Sequence, residues 1–114
     1  MAVLYKQLGA AAGSGTISTA AQLYAASATA GTSTVVSSIV ICNTSTSAVT
    51  YRIAINTVTA TFAAGKYVVY EASIAGNDTV ALTLGLVLDP TNRFLNVSSS
   101  AAAVNFSAYG VENS

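Results

Sequence analysis

Period-two alternation constrains this chain more than any other feature of it. From Ser33 onward, apolar and small polar residues take turns along six segments, each closed by residues that favour turns. The predicted strands cover residues 33–42, 48–55, 67–74, 79–88, 93–98 and 103–111. Between them, 43–47 is a polar turn cluster and Ala75-Gly76-Asn77-Asp78 supplies residues that tolerate positive φ. Asp89-Pro90-Thr91-Asn92 closes another strand, because proline cannot donate to a ladder. Shorter strands over 3–8 and 17–24 bring the total to about eight, and strands recurring every 8–12 residues or so without a helical pattern predict an all-β chain. The expected architecture is a single-domain antiparallel β-sandwich, jelly-roll-like, with an extended N-terminal arm over 1–32 and a core domain over 33–114.

Alternation also assigns faces. Tyr51, Ile53 and Ile55 are expected inward against Arg52 and Ala54, and Val68, Tyr70, Ala72 and Ile74 inward against Tyr67, Val69, Glu71 and Ser73. Val104, Phe106 and Ala108 oppose Asn105, Ser107 and Tyr109, while Val80, Leu82, Leu84, Leu86 and Leu88 fill one side of NDTVALTLGLVL. The other side of that segment, with Ala81, Thr83, Gly85 and Val87, is too apolar for an ordinary solvated surface. Placing Leu84 inside predicts that Leu84→Asp abolishes folding, since an unpaired buried carboxylate costs several kcal/mol.

Composition sharpens the point. Hydrophobic residues make up 53% of the 114, charged residues only 7%, and four basic and four acidic side chains cancel. Lys6, Arg52, Lys66 and Arg93 are dispersed, so neither a phosphate backbone nor an anionic lipid surface finds a cluster to bind. No apolar run is long enough to span a bilayer as a helix, and MAVLYKQLG passes into small polar residues instead of an h-region, so no signal peptide is expected. Sheets so poor in Lys and Glu leave faces that other proteins would cover. The interface candidates are Tyr5, Leu8, Leu23, Tyr24, Tyr67, Val69, Val87 and Tyr109. The arm, rich in Ala, Ser, Thr and Gly, loses much entropy on ordering, and is expected to be held by other subunits or by its own domain.

Little points to chemistry. Without histidine the chain lacks the usual general base, the partner for a Ser or Cys nucleophile and the commonest zinc ligand. The lone Cys42 reads as a small strand hydrophobe, and GAAAGSG lacks the Lys-Ser/Thr ending of a phosphate-binding loop. No catalytic, cofactor-binding or metal residue is assigned, and no cofactor is expected. The sequons at Asn43, Asn77 and Asn96 read as coincidence in a Ser/Thr-rich chain.

Four blocks, VVSSIVICN at 35–43, TYRIAI at 50–55, IAGNDTVALTLGL at 74–86 and NFSAYGVE at 105–112, resemble a family of small all-β virion proteins of tailed bacteriophages, including phages of cyanobacteria. Members often carry a proline where this chain reads AASATAGTST. The resemblance implies a non-enzymatic role in the particle. Its foremost form is a capsid cement or decoration protein, made in the host cytoplasm and bound as a homotrimer to the major capsid protein. The same resemblance admits a neck, tail or fibre-base protein, or a host-adhesion module with tyrosine-lined loops.

Overall fold

The computed structural model describes residues 3–113, in which there is no helix. These residues form β1 (Val3–Ala12), β2 (Ala21–Ala25), β3 (Ser33–Asn43), β4 (Val49–Asn56), β5 (Tyr67–Ile74), β6 (Thr79–Leu88), β7 (Phe94–Ser99) and β8 (Val104–Asn113). Every pairing is antiparallel: β1 with β8, β2 with β7, β3 with β6 and β4 with β5. The chain therefore behaves as one long hairpin bent at the connection from β4 to β5. Rolling that hairpin sends alternate pairs to opposite sheets, and the rolled form is sealed by β8 against β3 and β7 against β4. The result is sheet I, in the order β1-β8-β3-β6, packed on sheet II, in the order β2-β7-β4-β5. This is a jelly roll.

One layer of side chains fills the space between the sheets. Val36, Ile39, Ile41, Val104 and Phe106 of sheet I, and Ile53, Leu95 and Val97 of sheet II, are fully buried. The edge of one ring meets the face of the other where Tyr51 crosses Phe106, at 6.3 Å and 69°. Each such burial contributes roughly 1.5–3 kcal/mol before entropy is subtracted.

The predicted arm proves to be part of this sandwich. Its strands β1 and β2 form one edge of each sheet, and Leu23, Tyr24 and Ala26 lie in the core. The division at residue 32 is thus no boundary in the fold, and of the arm only Met1 and Ala2 lie outside the described residues. Removing 1–32 would strip both sheets of an edge strand.

A polar clamp closes each end of the sandwich. At one end the Asn43 side chain is buried, and its Nδ2 lies within donating distance of the carbonyls of Ser47, Ala75 and Ile74 at 2.9, 3.1 and 3.3 Å. Its Oδ1 accepts from the Ser45 amide and hydroxyl at 3.0 and 2.8 Å, so the turn after β3 is bound to the turn after β5. At the other end, the Tyr24 hydroxyl of β2 donates to Glu112 of β8 and lies 3.1 Å from Thr34 Oγ1, and Glu112 pairs with Lys6 of β1 at 2.8 Å.

Bulges overturn part of the facing read from alternation. Across sheet I they gather around Tyr109 of β8: Leu8 is the extra residue in β1, between the partners of Tyr109 and Ala108, Ser37 is the extra residue in β3, between the partners of Tyr109 and Gly110, and Leu84 and Gly85 together face Ser37 from β6. Gly85 adopts φ +62°, and a Cβ at Gly110 would overlap the Val35 carbonyl. Leu84, expected inside, is therefore exposed at the sheet edge. In β5 two register shifts oppose Tyr70 and Glu71 to the single Arg52 and pair Val69 with Ile53. Tyr70 is thereby exposed instead of inward, and Val69, expected outward, packs against the core. On β4, by contrast, the expected facing holds: Ile55 packs against the core, and Ala54 lies on the outer face level with Asn96, buried there beneath the loop over sheet II.

Urea unfolding separates these environments. Asn43→Ala, which leaves buried carbonyls without donors, is expected to lose about 2–3 kcal/mol. Leu84→Asp, now at an exposed bulge, is expected to fold with a loss of about 1 kcal/mol or less.

Candidate functional site

The outer faces of the two sheets differ in kind. Sheet II is covered by its own loops. Asn96 Oδ1 accepts from the Ala60 amide at 3.1 Å, and Nδ2 donates to the Thr61 and Val58 carbonyls at 2.9 and 3.1 Å. Asn56 Nδ2 adds a bond to the Thr61 carbonyl at 3.0 Å, so residues 57–66 are tied across the sheet. Ser98 Oγ likewise donates to the Ile17 carbonyl at 2.7 Å and holds the segment between β1 and β2. Polar residues on this face are thus buried and satisfied. The amides of two sequon residues, Asn43 and Asn96, are committed to such bonds inside the fold.

Among the described residues, no loop covers the outer face of sheet I in this way. Register places Tyr5, Val111, Val35 and Val87 side by side across β1, β8, β3 and β6. The rows behind this one hold Gln7, Tyr109, Ser38 and Thr83, then Ala10, Ser107, Val40 and Ala81, then Ala12, Asn105, Cys42 and Thr79. None of these sixteen described positions carries a charged side chain. Tyr5 is 64% and Val87 62% exposed, while Val35 and Val111 between them are half-buried. The Tyr5 hydroxyl lies 2.8 Å from Ser37 Oγ, which donates to the Tyr109 carbonyl at 3.1 Å, and the ring is thereby held across β8. Strands about 4.8 Å apart and about 3.3 Å per residue make this face roughly 20 by 30 Å, comparable with the ~800 Å² that one partner commonly buries in a stable interface.

The interface candidates separate accordingly. Tyr5, Val87 and Tyr109 lie together on this face, and Leu8 sits at its bulge, half-buried and packed against the core. Leu23 and Tyr24 are core residues, 5% and 9% exposed, and present no surface. Val69 also belongs to the core side, and Tyr67 stands on the other sheet beside Arg52. Val35 and Val111 are members that the sequence reading did not single out. Their alternation with the buried Thr34, Val36 and Gly110 was the signal for them.

The charges sit elsewhere and are engaged locally. Arg52 holds Glu71 below the usual carboxylate range, Lys6 does the same for Glu112, and the Asn92 and Thr91 amides do so for Asp89. Burial and the Glu112 bond push the Tyr24 phenol up to about 12. No protein-family model matches the chain, and no curated protein does.

The Tyr24–Glu112 clamp has a pH signature. A folded-state Glu112 below its ordinary value stabilises the chain above that value, and the contribution is lost as pH falls from there through the lowered folded-state value. A Tyr24 raised to about 12 stabilises the chain below its ordinary value of 10.0, and that contribution is lost as pH rises from there toward 12. Thermal melts across pH should therefore show a fall in Tm at both extremes, and Tyr24→Phe should flatten the alkaline one.

Proposed function

We propose that this chain is a structural protein of a tailed-bacteriophage particle, acting as a capsid cement protein that docks through the outer face of sheet I. The observation that carries this reading is the contrast between the two sheets: one is roofed by its own loops, the other presents sixteen uncharged positions to whatever lies against it. A charge-free face of this size, with Tyr5 and Val87 exposed on it, reads as a contact surface. The jelly-roll arrangement and the resemblance of its four sequence blocks to small phage virion proteins supply the setting. The proposed partners are further copies of the chain, as a homotrimer, and the major capsid protein.

The mechanism requires no chemistry. A protein that binds the assembled shell and not its dispersed subunits stabilises the shell by linkage. Many copies multiply a modest contact. Neutrality suits this role, because the contact then rests on desolvation and resists salt.

Charge reversal on the face is the test. Tyr5→Asp combined with Val87→Asp changes two exposed side chains and is expected to leave the melting curve near that of the parent, while binding to purified phage shells drops by about a hundredfold or more, as for loss of two interface anchors. Equal occupancy of shells by the double variant would refute the docking face. Hundreds of copies per particle are expected, whereas a dozen would move the protein to the tail or neck.

A further inference from the structure

The loops that roof sheet II leave one patch open, beside the bulge in β5. Here the Arg52 guanidinium lies over three rings, 4.5 Å from the centre of Tyr70, 5.7 Å from Tyr67 and 5.9 Å from Phe62. Nη1 reaches the Tyr67 hydroxyl at 3.4 Å, Nη2 reaches that of Tyr70 at 3.3 Å, and Nη2 also pairs with Glu71. Tyr67 and Tyr70 meet edge to face at 4.8 Å. The arginine side chain is only 12% exposed, whereas the Glu71 side chain is 39% exposed and Tyr70 59%.

Three features of this cluster oppose stability. Glu71 holds φ at +53°, a conformation that non-glycine residues avoid. Arg52 Nε is buried with no partner. Tyr70 leaves a large ring in water. Packing an arginine beneath Tyr67 and Phe62 needs none of them, and costs gathered at one spot mark a functional site more often than a structural one. Their joint effect is geometric: the bulge brings Tyr70 and Glu71 out beside each other, an aromatic face next to a carboxylate.

We propose that Tyr70, Glu71 and Arg52 form a binding site for a neutral saccharide. Charge selects the ligand class. The Arg52–Glu71 pair is neutral overall, so an anion would meet the more exposed Glu71 and a cation would compete with Arg52 already seated on the rings. A wholly apolar ligand would strip water from the carboxylate without replacing its bonds. A sugar ring satisfies both halves: its C–H face stacks on the side of Tyr70 turned away from Arg52, while its hydroxyls donate to Glu71. The site faces away from the bare side of sheet I, and does not depend on what that side contacts.

Saturation-transfer NMR on the full chain tests this with maltose, lactose, cellobiose and chitobiose as neutral probes and sialyllactose as an anionic one. At least one neutral disaccharide should show transfer, with Kd near ~1 mM, and Tyr70→Ala should weaken it by about tenfold or more. Glu71→Gln should weaken the same probe, Tyr70→Phe should retain it, and Tyr5→Ala on the opposite face should leave it unchanged. Tyr70 is exposed, so circular dichroism of Tyr70→Ala should match the parent. Absence of transfer from every neutral probe overturns the proposal. So does undiminished transfer in Tyr70→Ala, or tighter binding of sialyllactose than of lactose.

Discussion

Burial of a single layer of branched and aromatic side chains between two four-stranded sheets is the interaction on which the rest of this structure depends. Phe106, Val36, Val104 and the isoleucines of β3 on one side, and Tyr51, Ile53, Leu95 and Val97 on the other, are among its members. A non-directional force would let the sheets slide. The sliding is stopped at the ends, where Asn43 binds the turns after β3 and β5 together and Tyr24 ties β2 to Glu112. Apolar burial thus provides the stability, and a few buried hydrogen bonds select the arrangement. Because the first strand pairs with the last, the small-residue N-terminal segment is needed to complete both sheets.

With only four basic and four acidic residues, the chain cannot protect two outer faces with charge. It treats them differently. Sheet II is roofed by loops whose carbonyls and amides bind Asn96, Asn56 and Ser98, so its polar side chains act as anchors. Sheet I keeps an uncharged field made mostly of Val, Ala, Thr, Ser and Tyr. Clustered bulges add twist to that sheet, and Gly110 lets β8 approach β3 where a side chain would collide.

Much of the fold was legible because strands and turns are written locally. Tyr67–Ile74 and Thr79–Leu88 were read to the residue, and four others came within two positions at each end. The two N-terminal strands were less clear, since Ala, Ser and Thr alternate with one another without contrast. The bulges were not legible at all. An extra residue leaves hydrophobic alternation intact on either side while shifting its phase, which is why Leu84, Tyr70 and Val69 were misplaced. Of the candidate face, Val87 and Tyr109 were visible as large residues on the outward side of their strands, and Tyr5 as an anchor in a small-residue segment. Leu23 and Tyr24 were misjudged because the sequence does not say that β2 adds to the core. The clustering of Arg52 with Phe62, Tyr67 and Tyr70 depends on a loop folding back over its own sheet, which no local pattern records.

Cys42 offers the most direct probe of the central claim, that the uncharged face of sheet I is covered by protein when the chain is at work. It lies on that face beside Thr79 and Asn105, and its half-buried thiol is the only one in the chain. The measurement is the rate at which a small maleimide labels Cys42 in the free chain and in purified phage particles. Covering the face predicts slow but complete labelling of the free chain and strong protection in the particle. Equal rates in the two would contradict it.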